Sequence, residues 1–280
     1  MTRRRSLSAR GVLSALASWS VAALLFGDPA QAGDDLEREK ELLRGGTVEE
    51  KCAALEAIAE AAKRGEPPSK ELGRLIASAL GDGAADVRRQ AARLLGEGQH
   101  PEVALPALGN SLEELRQGLA KLGRPGRRSG EDREKLQDLV FWGTAVVEAL
   151  GSLRDDRSVD ALVGFAQRIG GTGDRRLHVQ LARALLKLEC QRGIEAVIRA
   201  LPQIEAVETR REGRLGAAPG PPGEQLHEML TELARSKGLE GMPAEWTKSA
   251  DSEWRAWFAK NRAHFPAKLG RLTPEGESGK

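Results

Sequence analysis

A six-residue aliphatic kernel that returns along the chain constrains its fold more than any other feature. Ala91-Ala-Arg-Leu-Leu-Gly96 recurs as Val146-Val-Glu-Ala-Leu-Gly151 and Leu181-Ala-Arg-Ala-Leu-Leu186, and Ala54-Leu-Glu-Ala-Ile-Ala59 has the same form. Around the first of these, Val87, Ala91, Leu94 and Leu95 occupy i, i+4, i+7 and i+8, the stripe of a core-facing helix. Asp86 stands at the expected N-cap of that helix and Gly96 at its C-terminal stop. One such helix cannot bury its stripe alone, so its recurrence predicts a stack of helical repeats. The kernels begin at 54, 91, 146 and 181, giving spacings of 37, 55 and 35. The middle spacing is one repeat plus about 18 residues, which a longer helix and the 123–130 loop can absorb.

The first 32 residues are expected to be an export signal. Arg3, Arg4, Arg5 and Arg10 form a positive region, and 11–26 is an apolar run interrupted only by Ser and Gly. Pro29-Ala-Gln-Ala32 ends in a small-x-small cleavage pattern. The run has 16 residues, short of the about 20 that a membrane span needs. Cleavage after Ala32 would release a mature chain into the periplasm or the medium, with no transmembrane span of its own. Residues 1–32 hold four of the 43 basic residues and one of the 41 acidic ones, leaving 39 against 40, a net charge of −1. That balance argues against a nucleic-acid-binding protein.

The remainder reads as all-α. Ala, Leu, Arg and Glu dominate, and no window alternates Val, Ile and Thr with period two. Helices are expected over 34–43, to Lys63 from a Thr47-x-x-Glu50 capping box, over 69–80, 86–95 and 131–153, over 159–169, from an Asp174 cap to about Cys190, over 193–201, 224–236 and 249–264. One more starts at His100-Pro101 and reaches Leu122 unless Gly109 breaks it, and Pro202 is expected to bend the chain beyond Leu201. The predicted organisation is a signal peptide (1–32), helical repeats (33–207), a flexible Pro/Gly-rich insertion (208–223), closing helices (224–265) and a disordered tail (266–280).

Asp86-Val-Arg88, Ala91-Ala92 and Leu94-Leu-Gly96, with the corner Asp155-Asp-Arg-Ser-Val159 before Ala161-Leu162, resemble the HEAT-repeat family, most closely its short bacterial-type repeats, over about 47–205. The closing stretch Glu253-Trp-Arg-Ala-Trp-Phe-Ala-Lys-Asn261 is similar to the Trp-rich last helix of some exported bacterial HEAT-type proteins. The resemblance implies a right-handed α-solenoid of antiparallel helix pairs whose inner helices line a concave surface that binds another protein or peptide. No cofactor is expected.

The kernels carry a charged residue whose sign alternates: Glu56, Arg93, Glu148, Arg183. On stacked helices these would form an inter-repeat ladder of ion pairs, each contributing ~0–1 kcal/mol, or a polar strip that docks a partner. Arg89, Arg93, Glu148, Gln180 and Arg183 are the candidates for that docking strip. Of four histidines, only His227-Glu228 forms a His-Glu pair, and HEAT-built metal hydroxylases use several, so that enzyme class is set aside and His227 reads as a surface residue. No Ser, Cys and His arrangement suggests a nucleophile with its base. Trp254, Trp257 and Phe258 share a helix face, which reads either as a cap closing the stack or as an exposed aromatic patch for a partner or glycan. Cys52 and Cys190, each beside an aliphatic kernel, read as small buried hydrophobes that do not pair. The leading expectation is a non-enzymatic exported scaffold; a lyase-like HEAT enzyme or enzyme subunit, and a structural envelope component, are the alternatives.

Overall fold

A computed structural model of the chain describes residues 32–66, 68–97, 100–122, 129–169, 175–209, 222–245 and 250–270, and these are helical with no strand. Of the expected export signal (1–32), residues 1–31, of the expected insertion (208–223), residues 210–221, and of the expected tail (266–280), residues 271–280 lie outside the described residues, as do Asp174 and Trp246. The helices are α1 (Ala32–Gly45), α2 (Val48–Lys63), α3 (Lys70–Ser78), α4 (Ala85–Leu95), α5 (Pro101–Leu122), α6 (Gly130–Ser152), α7 (Asp156–Ile169), α8 (Arg175–Lys187), α9 (Gln191–Thr209), α10 (Pro222–Ser236) and α11 (Ala250–Asn261).

They pack as two rows. In one, α2 lies on α4, α4 on α6, α6 on α8 and α8 on α10; in the other, α1, α3, α5, α7, α9 and α11 follow one another. The kernels supply the first row, and their stripes are its core: Ile58, Ala91, Val146, Leu150 and Leu185 are all buried. Helix starts and stops follow local chemistry. The Thr47 hydroxyl accepts from the Glu50 N–H (3.3 Å) while the Glu50 carboxylate accepts from the Thr47 N–H (2.8 Å), completing the expected capping box of α2. Gly65, at φ 87°, ends that helix in a backbone conformation that other residues resist.

Gly96 ends α4 for a different reason. Its φ is −68°, open to any residue. A Cβ there would lie 2.7 Å from the Ala149 Cα, so it is glycine because α6 passes too close for a side chain. The same device recurs one helix on, where a Cβ on Gly151 would lie 2.9 Å from the Ala184 Cα. In both cases the sixth kernel position of one helix meets the fourth of the next. With Arg88 over Trp142 and Lys187 bonded to Ser152, these contacts run in one sense, so α4, α6 and α8 point the same way.

Several expected boundaries move. Asp86 is not the cap of α4. Asp82 accepts from the Ala84 N–H (2.8 Å) and from Lys51 of α2 (2.7 Å), which starts the helix one residue early and leaves Asp86 exposed in its first turn. Helix α5 does not break at Gly109, because Leu105, Leu108, Leu112 and Leu115 keep one buried stripe on both sides of it. Pro106, exposed on that helix, removes one backbone hydrogen bond without ending it. Helix α9 continues through Pro202 to Thr209.

Disorder, expected from Pro266 onward, does not hold for 266–270, because 265–270 satisfy donors that helix starts leave open. Gly270 O accepts from the Asp156 N–H at the start of α7, and Pro266 O from the Gln191 N–H at the start of α9, both at 3.0 Å. Asp156 Oδ1 in turn accepts from the Leu269 N–H (2.9 Å), and the Gln191 side chain donates to Phe265 O (2.9 Å).

Glycine substitutions separate the two kinds of helical glycine. Gly96→Ala is expected to lower stability by about 1–3 kcal/mol, because the backbone of α6 must retreat. Gly109→Ala, whose Cβ meets nothing within 4 Å, is expected to raise it by roughly 0.5–1 kcal/mol. Urea unfolding of both variants checks the opposite signs.

Candidate functional site

The row of α2, α4, α6 and α8 brings the five candidate docking residues onto three consecutive helices. Arg89 and Arg93 lie on α4, Glu148 on α6, Gln180 and Arg183 on α8. Arg93, Glu148 and Arg183 are exposed, and Arg89 and Gln180 are half-buried. The expected ion-pair ladder does not form: among the described residues no ion pair links Glu56, Arg93, Glu148 and Arg183. Nearer partners take their place. Glu56 accepts from Gln90 of α4 (3.1 Å), and Arg183 donates to Gln180 one turn back (3.2 Å). An exposed pair contributes too little to draw long side chains away from such neighbours. The helix register also differs from the kernel alignment: Gly96 lies on Ala149, a separation of 53 residues, where the kernels are 55 apart.

The packing assembles a cluster that the kernel reading does not contain. Phe141 of α6 is half-buried, and the guanidiniums of Arg89 from α4 and Arg176 from α8 lie 5.9 and 5.8 Å from its ring centre. Arg89 also pairs with Asp86 on its own helix. Beside it, Arg88 lies 5.4 Å from the centre of the buried Trp142 ring and donates to Asp82 O (2.7 Å). The sequence signal for this cluster is an aromatic pair, Phe141-Trp142, set one helix away from arginine pairs on either side.

On the other row, Val163, Ala166, Ala196 and Ala200 floor a groove of about 350 Å³ between α7 and α9. Its rim arginines are occupied: Arg192 pairs with Asp160, and Arg199 with Glu195. Glu113 of α5, clasped by Arg116 and Gln117, is held down to about 2 and stays a carboxylate throughout the physiological range. The Trp-rich face of α11 is buried, with Trp254 at 0% and Trp257 at 3% exposure, so it is not an exposed aromatic patch.

His227 is not a surface residue. It is 8% exposed on α10, and its Nδ1 accepts from the Trp254 indole N–H at 3.1 Å, with the rings edge to face. Sitting between Leu226 and the Leu230 turn, it is drawn in with the stripe of its helix and covered by α11. Both cysteines are free. Cys52 lies on α2 and Cys190 between α8 and α9, with α4 and α6 packed in series between α2 and α8. Cys190 does not end α8 as expected: it precedes α9, where its sulfur accepts from the Gly193 N–H at 3.4 Å. Burial is the largest influence on each thiol and raises its pKa, so neither is an activated nucleophile.

Among the described residues no helix is long and apolar enough to cross a membrane, and no group of three or more His, Cys, Asp or Glu is placed to hold a metal ion. No family model, curated protein or solved structure matches the chain.

Burial depresses the pKa of His227, outweighing the carboxylates of Glu228, Glu253 and Glu224, which act to raise it. The unfolded chain therefore binds this proton more readily than the folded one. The stability contributed by neutral His227 is complete above the ordinary value of about 6.5 and is lost as pH falls through it toward the lowered value. Thermal unfolding across that window is expected to show a smaller acid loss in His227→Gln than in the parent, because the amide does not titrate. Equal pH slopes would remove His227 as the cause.

Proposed function

We propose that the chain is an exported, non-enzymatic scaffold of the HEAT-repeat type, a right-handed solenoid of antiparallel helix pairs. It binds a partner protein or peptide on the face formed by α2, α4, α6 and α8. The observation that carries this reading is the shared direction of α4, α6 and α8, whose glycine-on-alanine contacts repeat from one helix to the next. Repetition of that kind places equivalent polar residues at regular steps of roughly 8–10 Å along one surface, the layout that an extended partner can follow. The pairing of rows is supported by α5 and α6, where Gly118 lies against Leu139 and Leu115 against Gly143, the order that antiparallel neighbours give. Export is supported by the basic and apolar segments before Ala32, and it places the mature chain in the periplasm or outside the cell.

A photo-crosslinking residue introduced in the producing cell at Arg93, Glu148 or Arg183 is expected to yield discrete protein adducts, and one at Arg199 on the other row is not. Adducts confined to Arg199 would overturn the assignment of the face. The N-terminus of the protein recovered from the envelope is expected at Gly33; recovery of the uncleaved chain from the cytoplasm would overturn export.

A further inference from the structure

We propose that His227 is an acid-sensitive catch for the closing segment of the chain: its protonation frees α11 from α10 and so releases 265–270 from the starts of α7 and α9. Helix α11 packs along α9 and reaches α10 through Trp254, whose indole N–H donates to His227 Nδ1 at 3.1 Å. That bond needs a lone pair on the nitrogen. An imidazolium carries N–H on both nitrogens, so it faces Trp254 donor to donor, and turning the ring over restores no acceptor. Trp254 is fully buried, so no water replaces the lost acceptor while the two helices stay together.

The charges around the ring set where it can go. Glu228 and Glu224 of its own helix and Glu253 of α11 act on it, and all three are exposed. Asp251 of α11 is paired with Arg255 at 3.3 Å. Helices α8 and α9 also pack on α10, and their buried side chains over Arg175–Lys187 and 191–200 are all apolar. A protonated His227 therefore finds its counter-charges outward, at the solvent edge, and moving there withdraws it from Trp254.

From Trp254 the contacts are continuous. Trp254 meets Trp257 edge to face with ring centres 5.2 Å apart, and the buried Phe265 lies 6.5 Å from Trp257 and 6.1 Å from Phe258. Phe265 precedes Pro266, whose carbonyl takes the Gln191 N–H, and the same segment runs on to Gly270 at the Asp156 N–H. Loss of the aromatic anchor leaves both helix starts to water and uncovers the face of Trp257, Phe258 and Phe265. Helices α2 and α4 lie at the far end of the stack and stay packed.

Hydrogen exchange of the purified protein, resolved by peptide and read as protection factors between about pH 7.5 and about 4.5, tests this. Protection at the starts of α7 and α9 and over 265–270 is expected to fall by about tenfold or more as the pH is lowered, while that of α4 is unchanged. His227→Asn sets an amide oxygen where Nδ1 stands and does not titrate, so it is expected to hold protection across the range. His227→Gln takes its place if the Asn variant does not fold. His178→Gln, His264→Gln and Asp156→Asn remove the histidine of α8, the exposed histidine beside Phe265 and the carboxylate that holds Leu269. These three are expected to keep the parent's acid loss. Absence of that loss in the parent, an equal loss in α4, its persistence when His227 is replaced, or its abolition by one of the three control substitutions would overturn the proposal.

Discussion

Close approach of backbones at Gly96–Ala149 and Gly151–Ala184 is the constraint on which the rest of this structure depends. Contact at Cα distance lets α4, α6 and α8 settle nearer than leucine-on-leucine packing permits, and it fixes how far each helix is slid along its neighbour. Interiors packed at crystal-like density tolerate little slack at such points. The surface inherits the spacing. Arg89 and Arg176 reach one Phe141 ring, and Lys187 reaches Ser152 at 2.9 Å, because the helices beneath them are this close. A polar arrangement on the outside is thus set by small residues on the inside.

Local periodicity controls the features that were legible in the sequence. The kernel stripes, the Thr47–Glu50 box and the end of its helix at Lys63 depend on residues within a turn or two of one another, and each is found where expected. The illegible parts depend on partners far along the chain. Gly96 looks like an ordinary stop until Ala149 is placed against it. The ladder of alternating charges failed because aligning kernels by their letters gives a separation of 55, whereas the packed helices are registered at 53. The same two-residue offset recurs at Gly151–Ala184, 33 residues apart where the kernels are 35 apart, so it comes from how one helix slides on the next, which aligned letters do not carry.

The candidate site divides in the same way. Arg93, Glu148 and Arg183 are recoverable as exposed because each interrupts an aliphatic kernel. Phe141 and Arg176 are not, since an aromatic ring half-way along a long helix normally belongs to the core. His227 misleads for the opposite reason. Its acidic neighbour Glu228 suggests a surface, while the residue that buries it, Trp254, is a helix away. Reading it required the pairing of α10 with α11.

The segment 265–270 gives the chain a timetable as well as a shape. Its carbonyls occupy backbone donors at Asp156 and Gln191, and the bond between Leu269 and Asp156 spans 113 positions. The kernels need only neighbours about one repeat away and can assemble in the order in which a ribosome delivers them. The starts of α7 and α9 have to wait, keeping water as their partner until residues 266–270 have been made. The last described residues therefore act as a late latch, and any process that holds them back leaves a stack that is built but not closed.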